Sequence, residues 1–241
     1  MSARVVAVVP AYNEAGAIGK LVDEIAEHQP ELDVVVLDDC STDETAAVAE
    51  DRGATVLRLP FNVGIGGAVQ TGFRYALEQD YDVAVRLDGD GQHDPAEIGK
   101  LLEPVERGEA NMVIGSRFVD ENGTYRPPLA RRLGIRVFAR LVSLLGGQRV
   151  TDTTSGFVAL DRLGIELFAS EYPHDYPEVE ATLVALRSGL RLRQVQVDMR
   201  ERETGASSIT FVRSLYYIVK VMLALFIASL RRYPRMGEAR P

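Results

Sequence analysis

Apolar residues along this chain fall into short continuous runs and longer periodic stretches, and the alternation between the two sets the expected fold. Val5 to Val9 is a continuous apolar run, and similar runs rich in β-branched residues recur at Val34 to Leu37, Val83 to Leu87 and Met112 to Ile114. Runs of this kind read as strands buried on both faces. Between them lie helix-like segments at Ile18 to His28, Asp43 to Arg52, Ala68 to Gln79 and Pro95 to Arg107. Ser41 and Glu44 have the spacing of a capping box, so the second helix is expected to begin just past Asp39. Strand and helix thus alternate through the first half of the chain, which predicts an α/β fold: a mostly parallel, Rossmann-like sheet with helices on both faces.

The pattern changes after Asn122, where Tyr125, Pro127 and Pro128 lead into a basic helix-like stretch, Arg131 to Leu145. This half reads as an elaboration on the acceptor side. Arg191 to Val197 reads as a further strand and Glu201 to Ser208 as a polar loop. Leu215 to Leu230 is apolar at nearly every position except Lys220 and Ser229, and then meets Arg231 and Arg232. A membrane span takes roughly 20 apolar residues, and this run is shorter and holds a lysine. Three readings remain open for it: an interfacial helix, a contact with a partner or a second copy, or a core helix. The expected organisation is a catalytic-type domain over 1–209 and a juxtamembrane or partner-binding helix over 210–241.

Bulk properties narrow the picture little further. The chain has 241 residues, 46% of them hydrophobic, enough for a sizeable core. A formal net charge of -8 argues against a general nucleic-acid binder. The one cysteine, Cys40, cannot form an internal disulfide. Met1 to Pro10 fits a first strand better than a secretory signal, so the expectation is a cytoplasmic protein.

In open parallel sheets ligands bind beyond the carboxyl ends of strands, which gives acidic residues there special weight. Asp38 and Asp39 follow one such run, and Asp88 and Asp90 follow another in the phrase Asp88-Gly89-Asp90-Gly91-Gln92-His93. Two carboxylates separated by one small residue can converge on a hard divalent cation, and glycines admit a diphosphate close to the backbone. By itself Asp-Gly-Asp-Gly would be a solvated turn. Its place between an apolar strand and a helix start at Asp94-Pro95 favours a site. Asn62-Val63-Gly64-Ile65-Gly66-Gly67-Ala68 lacks the third glycine of a dinucleotide fingerprint and reads as a tight loop near a nucleotide, in contact with it or purely structural. His28, His93 and His174 are not spaced as a metal cluster, and His93 reads as a loop stabiliser. Glu178 and Glu180 lie on a helix expected after Pro177, either reaching the cleft or forming a solvated helix start.

Six motifs taken in order carry a family resemblance: Pro10 to Glu14, Asp38 to Asp43, Asn62 to Ala68, Asp88-Gly89-Asp90, Gly115-Ser116-Arg117 and Asp152 to Phe157. Together they resemble the inverting family 2 glycosyltransferases of the GT-A fold, in particular the dolichyl- or polyprenyl-phosphate sugar synthases, over almost the whole chain. The resemblance implies that Pro10, Tyr12, Asn13, Glu14 and Asp39 hold the nucleotide, with Gly66 beside it. It further implies that Asp88, Asp90 and Gln92 surround Mg²⁺ or Mn²⁺ and the diphosphate. Arg117 and Arg131 would face an acceptor phosphate, Arg202 would bind phosphate, and Asp152 would serve the acceptor side. The partners so implied are a nucleoside-diphosphate sugar, a polyprenyl phosphate and the inner face of a membrane, with a small membrane protein or a second copy of the chain as further candidates. One position departs from the pattern: Ile135 stands where some members have a serine. The alternatives are transfer to a saccharide hydroxyl with Asp152 as general base, and a non-catalytic nucleotide-sugar binder or membrane adaptor.

Overall fold

The computed structural model describes residues 3–119, 129–200 and 211–237, with the side chains of 129–133 and 211–219 outside that set. Strands β1 (Val5–Ala11), β2 (Asp33–Asp38), β3 (Thr55–Arg58), β4 (Val83–Arg86), β5 (Met112–Ser116), β6 (Val158–Asp161) and β7 (Leu192–Gln196) form one seven-stranded sheet. Its order is β3-β2-β1-β4-β6-β5-β7. β6 runs antiparallel to β4 and β5, and the remaining pairs are parallel. The chain leaves β1 outward to β3 and returns to β4 on the other side of β1. The carboxyl ends of β1 and β4 therefore flank the switch point where doubly wound sheets open a crevice.

Helices α1 (Ala15–His28), α2 (Thr45–Asp51), α3 (Gly64–Glu78), α4 (Ile98–Glu106, entered through a 3₁₀ turn at Pro95–Glu97), α5 (Leu129–Gly146), α6 (Arg162–Ser170), α7 (Pro177–Arg187) and α8 (Phe211–Leu230) complete the described fold. Successive strand residues point to opposite faces, so the apolar runs feed two cores at once. Val6, Val8, Val35 and Leu37 meet Phe73 of α3 and Phe168 of α6. Ala7, Val9, Val36 and Val85 meet Leu21 and Ile25 of α1 and Leu101 of α4. Each such fully buried side chain contributes about 1.5–3 kcal/mol. A separate third cluster joins Phe138 and Val142 of α5, Val179 and Leu183 of α7, and Val221, Leu225 and Ala228 of α8. No helix among the described residues is long and apolar enough to cross a membrane.

Two local expectations are corrected. The capping box does not form: α2 starts at Thr45 without a side-chain cap from Glu44. Ser41 Oγ instead accepts from the Asn13 N–H at 3.0 Å, and Asp43 accepts from the Thr45 N–H at 3.0 Å. The glycine-rich segment is not a loop along its whole length, because α3 begins at Gly64 and takes Gly66 and Gly67 into its first turn.

Candidate functional site

At the switch point lies a cleft of ≈ 230 Å³. One wall is formed by the end of β1 and the turn beyond it, through Pro10, Tyr12 and Glu14. Asp88, Gly89 and Asp90 beyond β4 line the cleft as well, together with Asp39, Ile65 and Ala68. The walls are drawn together at Gly89, whose N–H donates to the Pro10 carbonyl at 3.1 Å. A Cβ on Gly89 would stand 3.0 Å from that oxygen, so a larger residue would spread the cleft.

Asp39 is buried and fixes the start of α3, its two carboxylate oxygens accepting from the N–H groups of Val63 at 2.7 Å and Gly64 at 2.9 Å. A carboxylate at a helix N-terminus is favoured by the exposed N–H dipoles there. Asn13 takes a left-handed backbone, φ 56°, and its side chain accepts from the Thr42 N–H at 2.8 Å. It thus ties the loop after β1 to the loop after β2 and is not among the residues that line the cleft. The Glu14 N–H donates to Thr45 Oγ1 at 2.8 Å, and its side chain makes no helix cap.

The acidic motif is braced from behind. The Asp88 N–H donates to His93 Nδ1 at 3.0 Å, which places the histidine's proton on Nε2. Burial pushes the His93 pKa down, so the ring is neutral at pH 7, stacked on Phe157 with centroids 5.0 Å apart. His93 is therefore a brace for the loop, as expected from sequence. Gln92 meets Asp90 through its backbone N–H, 3.1 Å from Asp90 Oδ1, and its carbonyl accepts from the Arg200 N–H at 2.9 Å.

Asp88 and Asp90 present hard oxygen donors on one wall of the cleft, the chemistry that Mg²⁺ or Mn²⁺ takes. Among the described residues no three His, Cys, Asp or Glu side chains converge as a complete ligand set. This suits an ion that takes one or two carboxylates from the protein and the rest of its shell from a ligand's phosphates.

Asp152 and Arg117 do not reach the cleft. Asp152 is 0% exposed, and its oxygens accept from Arg117 Nε at 2.9 Å and Nη2 at 3.1 Å. Arg117 Nη2 also donates to Thr154 Oγ1 at 2.7 Å. A bidentate pair of this kind, closed off from solvent, holds the 116–118 turn to the 152–157 segment. What the structure shows of these two residues is their pairing with each other, and the acceptor-side roles expected for them stay proposals. Arg131 lies on α5 with its side chain outside the described residues, and Arg202 lies wholly outside them. Sequence reasoning misses Arg86, although an arginine inside an otherwise apolar strand is itself a signal.

Comparison with known proteins gives a consistent result. The family model described as Glycosyl transferase family 2 matches residues 6–166. An undecaprenyl-phosphate mannosyltransferase of Micrococcus luteus is 35% identical over 86% of this chain and 88% of its own length. A polyprenol monophosphomannose synthase of Mycolicibacterium smegmatis is 31% identical over 86% of this chain and 81% of its own. Among solved structures, glucosyl-3-phosphoglycerate synthase from Mycobacterium tuberculosis, crystallised with Mn²⁺, UDP and glucosyl-3-phosphoglycerate, superposes with a TM-score of 0.71. That likeness, at 23% identity over 95% of this chain and 80% of that one, shows a shared GT-A-type fold.

Proposed function

The chain belongs to glycosyl transferase family 2, and from that premise we propose that it transfers a sugar from a nucleoside diphosphate to a polyprenyl phosphate, with inversion, at the cytoplasmic face of a membrane. The observation that carries the reading is the cleft at the switch point, where Asp39, Asp88 and Asp90 meet one ligand-sized space. It is supported by the two relatives above, which are named for polyprenyl-phosphate mannosyl transfer and align over most of their length.

In this reading Pro10, Tyr12 and Asp39 hold the nucleoside, and Gly89 leaves the diphosphate room to lie against the backbone. Asp88 and Asp90 would hold Mg²⁺ or Mn²⁺, which supplies positive charge to the leaving diphosphate. An acceptor phosphate monoester has a second pKa near 6, by analogy with phosphorylated side chains, and is largely dianionic at neutral pH. It can attack the anomeric carbon in line without losing a proton, so no general base is required. The burial of Asp152 in its ion pair with Arg117 is in keeping with this reading. Arg131 and Arg202 are the acceptor-side arginines of the proposal, suited to the task because guanidinium grips phosphate oxygens bidentately.

Membrane association is assigned to α8. Its Val221, Leu225 and Ala228 are buried, while Met222, Leu223, Phe226, Ile227 and Leu230 form an exposed apolar face ahead of Arg231, Arg232 and Arg235. A panel of UDP- and GDP-sugars offered with polyprenyl phosphate, read by product mass, tests the reading. Formation of a polyprenyl phosphosugar is the expected result. Efficient glycosylation of a free saccharide, with polyprenyl phosphate ignored, overturns it.

A further inference from the structure

The strand that leads to the acidic motif ends in a buried cation. Arg86, the last residue of β4, is 2% exposed. Its Nη2 donates to Asp88 Oδ1 and to Glu178 Oε1 of α7, each at 2.9 Å, and its Nη1 donates to Tyr172 Oη at 2.9 Å. Burial acts to lower the guanidinium pKa, but the carboxylates of Asp88 and Glu178 oppose it and hold the group charged. The Tyr172 phenol is pushed up to about 12, chiefly by burial, and is neutral.

Stability alone is a poor reason for such a group. Buried ion pairs are often no better than well-packed apolar residues of the same volume, and among the described residues Arg86 Nε has no hydrogen-bond partner. The surroundings are nevertheless shaped around it. A Cβ at Gly156 would lie 2.9 Å from Arg86 Nη2 and 2.8 Å from Asp88 Oδ2, so a larger residue there would have to displace the ends of these side chains. A single nitrogen, Nη2, bridges two carboxylates from separate elements: Asp88 on the cleft wall and Glu178 on α7.

We propose that Arg86 is a positioning residue for the divalent-ion site, holding the Asp88 carboxylate against the cleft, with Glu178 as the second anchor that keeps the guanidinium from being spent on Asp88 alone. The inference rests on the reading of Asp88 and Asp90 as ion-holding residues. Groups that orient a ligating carboxylate act on affinity as strongly as many ligands do, and their loss typically weakens metal binding 10–100-fold. The two partners of Arg86 give rise to two effects of opposite origin. Removing Arg86 frees Asp88 to turn away. Removing the Glu178 charge leaves Arg86 paired with Asp88 alone, where it competes with the ion.

The test is titration calorimetry of Mn²⁺ in the presence of UDP and, separately, GDP, on the full chain and on Arg86→Met, Arg86→Lys and Glu178→Gln, with folding checked by circular dichroism. We expect Mn²⁺ affinity to fall by about tenfold or more in Arg86→Met, less in Arg86→Lys, and measurably in Glu178→Gln. A merely structural role would lower the melting temperature and leave Mn²⁺ affinity of the folded protein unchanged, and that result overturns the inference. If Arg86→Met does not fold, Glu178→Gln decides, since the amide keeps the side chain's shape. Failure of the parent protein to bind Mn²⁺ with either nucleotide would instead overturn the functional reading beneath it.

Discussion

Gly66 occupies a position where a methyl group has no room. A Cβ there would lie 2.6 Å from the His174 Cα and from the Pro173 carbonyl oxygen. Both obstacles are backbone, so relief requires α3 and the segment before α7 to move apart, and overpacking of that kind costs about 1–3 kcal/mol. Gly16, in the first turn of α1, is the natural control: an added Cβ meets nothing within 4 Å, and replacing glycine by alanine at a compatible backbone gains about 0.4–1 kcal/mol, chiefly by restricting the unfolded chain. Chemical denaturation should therefore show Gly66→Ala moving to a lower midpoint and Gly16→Ala to a higher one. Equal shifts in the two would show that the α3 contact yields without strain. Because Ile65 and Ala68 flank this residue and line the cleft, Gly66→Ala should weaken donor binding as well.

At the scale of elements, what the sequence reveals depends on length and on local pattern. β1, β2, β4 and β5 are legible because each is an apolar run of the right length, and α1 and α3 because each repeats apolar positions over three turns or more. β3 and β6 escape the sequence reading, and nothing local announces that β6 runs antiparallel. The capping-box spacing misleads at α2 because both Ser41 groups are engaged elsewhere, its N–H donating to Asp38 Oδ1 at 3.2 Å and its Oγ accepting from the Asn13 N–H. Asp88 and Asp90 are legible as a site because a strand end can be located without coordinates. The fate of Asp152 is not, since its partner Arg117 is 35 residues away and the pairing is made by the fold. Helix α7 carries a further consequence. Glu180 on its first turn has a pKa raised by burial and by Asp175, against a smaller opposing effect of Arg231. A carboxylate whose folded pKa is raised favours folding when protonated, and loses that contribution as pH rises through the folded value. Glu180→Gln should thus melt higher than the parent at pH 7, with the difference closing as pH falls below the ordinary carboxylate range. A difference that stays constant with pH would place the effect in packing and not in charge.

The whole molecule carries a formal net charge of -8, which would repel an anionic bilayer if charge were spread evenly. At physiological salt the Debye length is about 8 Å, so the surface nearest the membrane decides the outcome. In the proposed attachment that surface is α8, which is apolar and ends in arginines: Phe226 is 60% exposed and Leu223 57%. Fully burying side chains of this size is worth about 1.5–3 kcal/mol each, enough for two of them to dominate a weak peripheral attachment. The fold does not depend on either, because α8 is held to α5 and α7 through Val221, Leu225 and Ala228 on its other face. The double substitution Leu223→Glu with Phe226→Glu should therefore abolish flotation with vesicles of zwitterionic and anionic lipid. Circular dichroism and Mn²⁺-dependent nucleotide binding should stay at parental levels, because neither residue lines the cleft. Flotation unchanged by the two glutamates would mean that bilayer contact is made elsewhere, and would leave the exposed face of α8 to a protein partner or a second copy of the chain.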